Sequence, residues 1–63
     1  MSLSYVIVHK NKEGKLEKTS LMTEKDANHY CMSLEVIHGL GTHIVVKEDN
    51  IKDVNLDKLP SIN

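Results

Sequence analysis

The sequence predicts a small α+β domain of ββαβ topology: a three-stranded antiparallel sheet in the order 2-1-3, one helix packed on one face, and a short irregular tail over residues 49–63. Three observations lead there. Two β-rich runs flank a turn sequence that ends in glycine, the stretch 23–41 carries helix signals at both ends, and a third β-branched run follows it. With 63 residues the chain makes one domain. A domain of this size buries only about 60% of the surface its unfolded chain exposes.

Residues 3–10 (LSYVIVHK) are rich in β-branched and aromatic side chains and predict the first strand. Asn11-Lys12-Glu13-Gly14 reads as a type I turn closed by a glycine of positive φ, the three-residue hairpin loop with a bulge. Residues 15–22 (KLEKTSLM) return as a more polar strand, suited to the sheet edge. Pairing Asn11 with Lys15 sets Ile7 opposite Thr19 and Tyr5 opposite Leu21. One face then carries Tyr5, Ile7 and Leu21, and the other Val6, Val8, Leu16 and Met22.

Thr23 is an N-cap residue, and Glu24 and Asp26 follow in the first turn, where the helix dipole favours negative charge. Ala27, Tyr30, Leu34 and Ile37 recur at helical spacing as the expected core stripe, with Cys31 on its flank. Gly39 is the expected left-handed residue past a helix ending at His38, with Leu40 supplying the hydrophobic contact of such a cap. Residues 42–47 (THIVVK) form the third strand. In the tail Val54, Leu56, Leu59 and Ile62 are loosely spaced, leaving room for one short strand or helix, and Pro60 blocks any longer helix. A right-handed crossover through the helix makes the third strand parallel to the second, and placing it beside the first makes that strand central, which explains why it is apolar on both faces.

One sheet face takes the helix, so the face bearing Val6, Val8, Leu16 and Met22 needs the tail or another molecule to cover it. Met32 and Val36 leave a second apolar strip on the outer side of the helix. These six residues are the expected interface of a homo-oligomer, most simply a two-fold dimer.

Charge excludes several classes. Eight Lys and Arg against nine Asp and Glu give a net charge of −1, so no global field attracts nucleic acid or an anionic membrane. Tyr5 and Tyr30 are the only aromatics, too few for base-stacking platforms. Lys10, Lys12, Lys15 and Lys18 cluster around the hairpin, most simply as a solvated tip. No apolar run is long enough to span a membrane and no basic-then-apolar leader is visible. With Cys31 as the single cysteine, the expected address is the cytoplasm.

Chemistry is confined to the histidines. His9 ends the first strand, His38 the helix, and His43 begins the third strand, three points at one end of a 2-1-3 sheet. Three converging imidazoles could hold Zn²⁺ or, protonated, an anion. Against this, the spacings match no metal motif, the dipole alone accounts for His38 at a helix C-terminus, and rings on opposite sheet faces would leave His9 and His43 apart. Separate roles are the favoured expectation. Cys31, mid-helix and beside the core stripe, reads as a small buried hydrophobe rather than a nucleophile. No Gly-rich phosphate loop, carboxylate pair or nucleophile elbow is present, and no cofactor is implied. The expected function is a non-enzymatic interaction protein that works as a homo-oligomer and binds another protein. The alternative is a ligand- or metal-binding oligomer using the histidines and the Lys-rich hairpin at subunit boundaries.

Overall fold

The structure, a computed structural model, describes residues 3–54 and 56–62. Asn55 and Asn63, both within the expected tail, lie outside the described residues. Strands β1 (Tyr5–Lys10), β2 (Leu16–Lys18) and β3 (His43–Lys47) form an antiparallel sheet in the order β2-β1-β3. Helix α1 (Glu24–His38) crosses over β1 and β3. A 3₁₀ helix, Glu48–Asp53, opens the tail.

The hairpin follows its turn chemistry. The Asn11 side-chain oxygen accepts from the Glu13 and Lys15 backbone N–H groups at 2.9 and 3.0 Å, and Gly14 takes φ 82°. The Asn11 N–H donates to the Lys15 carbonyl at 2.8 Å, which sets Val8 opposite Lys18 and Lys10 opposite Leu16.

Beyond Thr19 the expected register fails by one residue. The Thr19 N–H still reaches the Ile7 carbonyl, but the Ile7 N–H turns to the Thr19 hydroxyl at 3.1 Å, and Tyr5 pairs with Met22 instead of Leu21. Ser20 and Leu21 together oppose Val6, a bulge that carries one extra residue. A one-residue slip exchanges faces. Met22 therefore packs on the helix side with Ile7, and Leu21 is exposed, reversing the expected places of both.

Helix α1 starts at its expected cap, where the Thr23 hydroxyl accepts from the Asp26 N–H at 3.2 Å. Its phase differs from the expected stripe. Ala27 and Cys31 are buried against Ile7, with Tyr5, Met22, Leu34 and Val45 around them, whereas Tyr30 and Ile37 are exposed. The two stripes lie side by side on the helix surface. Small side chains occupy the line of closest approach to Ile7, so the larger residues fall on the flank. At the other end Gly39 has φ 114° and ψ 149°, an extended conformation open to glycine and not the left-handed helical cap expected. Leu40 consequently points to solvent and makes no capping contact.

The second face of the sheet is covered by the chain itself. Val6 and Val8 are each 1% exposed and form a core with Val46 and Leu56, flanked by Ile44, Ile51, Val54 and Leu59. An extended tail would send Leu56 and Leu59 to opposite sides. The 3₁₀ turn and the bends after it remove that constraint and add Ile51, which the sequence pattern did not single out. The tail is fastened at both ends: Glu48 N–H donates to the Ser4 carbonyl at 2.8 Å, and Ile62 N–H to the Lys10 carbonyl at 3.0 Å. Lys10 Nζ also reaches the Asp57 carbonyl at 2.7 Å, and Lys18 pairs with Glu48 at 3.1 Å.

Candidate functional site

Sheet register brings the histidines together. His9 and His43 are direct cross-strand partners, and both share the helix-facing side of the sheet with Ile7 and Val45. Helix α1 delivers His38 to the same corner at its last residue. The His9 and His43 rings lie 5.1 Å apart between centroids, and those of His38 and His43 5.4 Å apart and stacked at 29°. His43 is the middle ring and is buried, and His9 and His43 lie on one face of the sheet and not on opposite ones.

Hydrogen bonding assigns the proton on His43. The Thr42 hydroxyl donates its single hydrogen to the Gly39 carbonyl at 2.7 Å. Towards His43 Nδ1, 2.8 Å away, that oxygen can only accept, so the neutral ring carries its hydrogen on Nδ1 and its lone pair on Nε2. His9 Nε2 donates to Glu17 Oε1 at 3.0 Å, and the other Glu17 oxygen accepts from the Asn11 amide at 3.2 Å. Burial pushes the His43 pKa below the ordinary histidine value, and positive charge on His9 or His38 pushes it further, while Glu35 acts in the opposite direction.

Glu35 closes the corner. One carboxylate oxygen accepts from the Gly41 N–H at 2.6 Å and the other from the Cys31 thiol at 3.8 Å. Burial, followed by the Glu35 charge, raises the Cys31 pKa, the reverse of what a thiolate nucleophile needs. Among the described residues no group of three or more His, Cys, Asp or Glu is arranged to hold a metal ion. Nor, among them, is any helix long and apolar enough to cross a membrane.

The expected interface residues divide. Val6 and Val8 lie inside the molecule under the tail, and Met22 lies against the helix-side core, so none of these three offers an open surface. Leu16, Met32 and Val36 are exposed. Leu16 edges a mainly apolar groove of about 270 Å³ between β2 and the tail, lined by Val8, Leu16, Glu17, Lys18, Ile51 and Leu56. Met32 and Val36 belong to a broader surface. Tyr30 and Ile37 on α1 and Leu40 just beyond it are exposed as well, and Val36 and Leu40 are 85% and 91% exposed. Sequence reasoning missed Tyr30 and Ile37 as surface residues because the apolar arc of α1 is wide enough to fit two phases.

No protein-family model, curated protein or solved structure matches this chain.

Proposed function

We propose that this chain is a non-enzymatic interaction protein that works as a homodimer through the outer face of α1 and in that form binds another protein. The observation that carries the reading is the exposure of Tyr30, Val36 and Ile37, which flank Ser33 on one side of α1, in a molecule whose two sheet faces already have their covers. Charge distribution supports it. Glu24, Lys25 and Asp26 are confined to the first turn and Glu35 is engaged by Gly41, so the middle of the face is free of ionised carboxylates and ammonium groups. Charge-depleted centres with charged rims are typical of protein interfaces.

A second copy fits this face by symmetry. If two α1 helices pack antiparallel about Ser33, Tyr30 meets Val36 and His29 meets Ile37, each pair being equally spaced from the centre. Ser33 is small, and its hydroxyl is turned back to the His29 carbonyl at 3.3 Å, which favours close approach. A two-fold interface requires such self-complementarity. A standard interface takes about 800 Å² from each partner, under a fifth of the 4569 Å² surface of this small molecule.

Light scattering on a sizing column tests the reading. Wild-type protein is expected at twice the monomer mass at several hundred micromolar. Val36→Lys is expected as a folded monomer, since the side chain it replaces packs against nothing within the chain. A wild type that stays monomeric, or a Val36→Lys that stays dimeric, would overturn the α1 interface.

A further inference from the structure

The three neighbouring rings, His38 stacked on His43 and His9 tilted against it, join three separate elements: the end of β1, the start of β3 and the last residue of α1. They do so at the loop containing Gly39 and Gly41, both at positive φ. Among the described residues the hydrogen bonds anchoring this loop are the Glu35 carboxylate on Gly41 N–H, the Gly39 N–H on the Glu35 carbonyl, and the Thr42 hydroxyl and N–H on the Gly39 carbonyl. Leu40 contributes no packing.

Two of the rings have a place for a proton where they stand. His9 faces Glu17 of β2 at 3.0 Å, so a positive ring there becomes an ion pair. His38 sits in the last turn of α1, where the helix dipole favours a cation. The middle ring has no such place. Its Nδ1 is committed as a donor to Thr42, so a proton has to enter at Nε2, in a buried position where positive charge on either neighbouring ring would oppose it. Of the carboxylates around it, Glu17 is engaged by His9 and Asn11, and Glu35 by Gly41 and Cys31.

We propose that the His9–His43–His38 stack is a proton-operated latch, holding the C-terminal turn of α1 and residues 39–41 against the sheet while His43 is neutral and releasing them when His43 is protonated. A protonated His43 would stand about 5 Å from each flanking ring, and positive charge on either one repels it. The bond that gives way is the stack to His38, because His9 and His43 are fixed by the β1–β3 ladder and His38 is exposed. Ile37 and Leu40 ride on the released turn, so opening also rearranges one end of the apolar α1 face. The latch rests on the histidine geometry and stands whether or not that face forms a dimer.

Nuclear magnetic resonance titration from pH 8 to pH 4.5 tests it on the whole chain. The His43 ring signal is expected to titrate below the ordinary histidine value. The backbone amides of Gly39, Leu40 and Gly41 should shift with the same midpoint, while that of Gly14, in the distant hairpin, should not follow it. In His38→Gln, which alters an exposed side chain and leaves the fold intact, the His43 midpoint should move up and the linked shift at Gly39–Gly41 should shrink. Loop amides that ignore the His43 titration, or a His43 midpoint unmoved by His38→Gln, would overturn the latch.

Discussion

Leu56→Ala puts the cover on the second sheet face to a direct test. Leu56 is 6% exposed and, among the described residues, is the tail's one buried contribution to the core of Val6, Val8 and Val46. Truncating a buried leucine to alanine costs about 2–5 kcal/mol, the upper part applying where the surroundings cannot collapse into the space. Val6 and Val8 sit on the central strand between two neighbours, so collapse from their side is restricted. A core in a chain this small rarely supplies more than about 3–5 kcal/mol of net stability, so the variant should lose about half of it or more. Urea unfolding followed by far-ultraviolet circular dichroism provides the assay. With a slope near 1 kcal/mol/M, typical of the smallest domains, the midpoint should fall by about 2 M or more. Leu40→Ala is the matched control, because a 91% exposed leucine should change stability by less than about 0.5 kcal/mol. The two variants and the wild type need comparison at several protein concentrations, since association would raise apparent stability. A Leu56→Ala midpoint within experimental error of wild type would refute the assignment of Leu56 as the cover of Val6 and Val8.

Further outcomes are expected at the caps and the histidines. Thr23→Ala removes the side-chain acceptor of the Asp26 N–H and should cost about 1 kcal/mol, read as a fall in melting temperature of roughly 4–8 °C. Stability should also decline on acidification. The folded-state pKa of His43 lies below its unfolded value of 6.5, so the unfolded chain takes the proton more readily. The contribution is complete above pH 6.5 and is lost as the pH falls through the lower folded value. Urea midpoints at pH 7.5 and pH 5 check this, and a midpoint that rises in acid would contradict the sign.

How much of this was legible in the sequence varies by element, for physical reasons. Turn and cap chemistry is local, so Asn11, Gly14 and Thr23 identified the hairpin register and the helix start. The strand order followed from placing the third strand beside the first, the strand that is apolar on both faces. What failed depended on contacts between distant segments. The apolar arc of α1 admits both the Tyr30–Ile37 line and the Ala27–Cys31 line, and only the closeness of Ile7 selects the smaller residues. The bulge at Ser20–Leu21 arises from one hydroxyl, Thr19 Oγ1, taking an N–H that the ladder would otherwise use. His9 and His43 share a face because β3 aligns Val46 with Val6. The run Ile44-Val45-Val46 has no alternation, so either alignment was open from sequence alone. The tail offered no periodicity, and Ile51 emerges only once the 3₁₀ turn is known.

The tail's fastening also bears on how the molecule assembles and comes apart. Lys10 and Asp57 are 47 positions apart, and closing a loop of that length costs roughly 2 kcal/mol more entropy than closing a tight hairpin. That cost falls before Leu56 finds Val6 and Val8, whereas the β1–β2 hairpin forms from neighbours. The half of the core beneath the tail should therefore form late, contribute little to the folding nucleus, and act mainly on the unfolding rate. It should also be the first part to open in the native state. Each such opening bares the most apolar strand of the sheet from its tail side, so the lifetime of that excursion, more than the global stability, sets how readily this chain aggregates at high concentration.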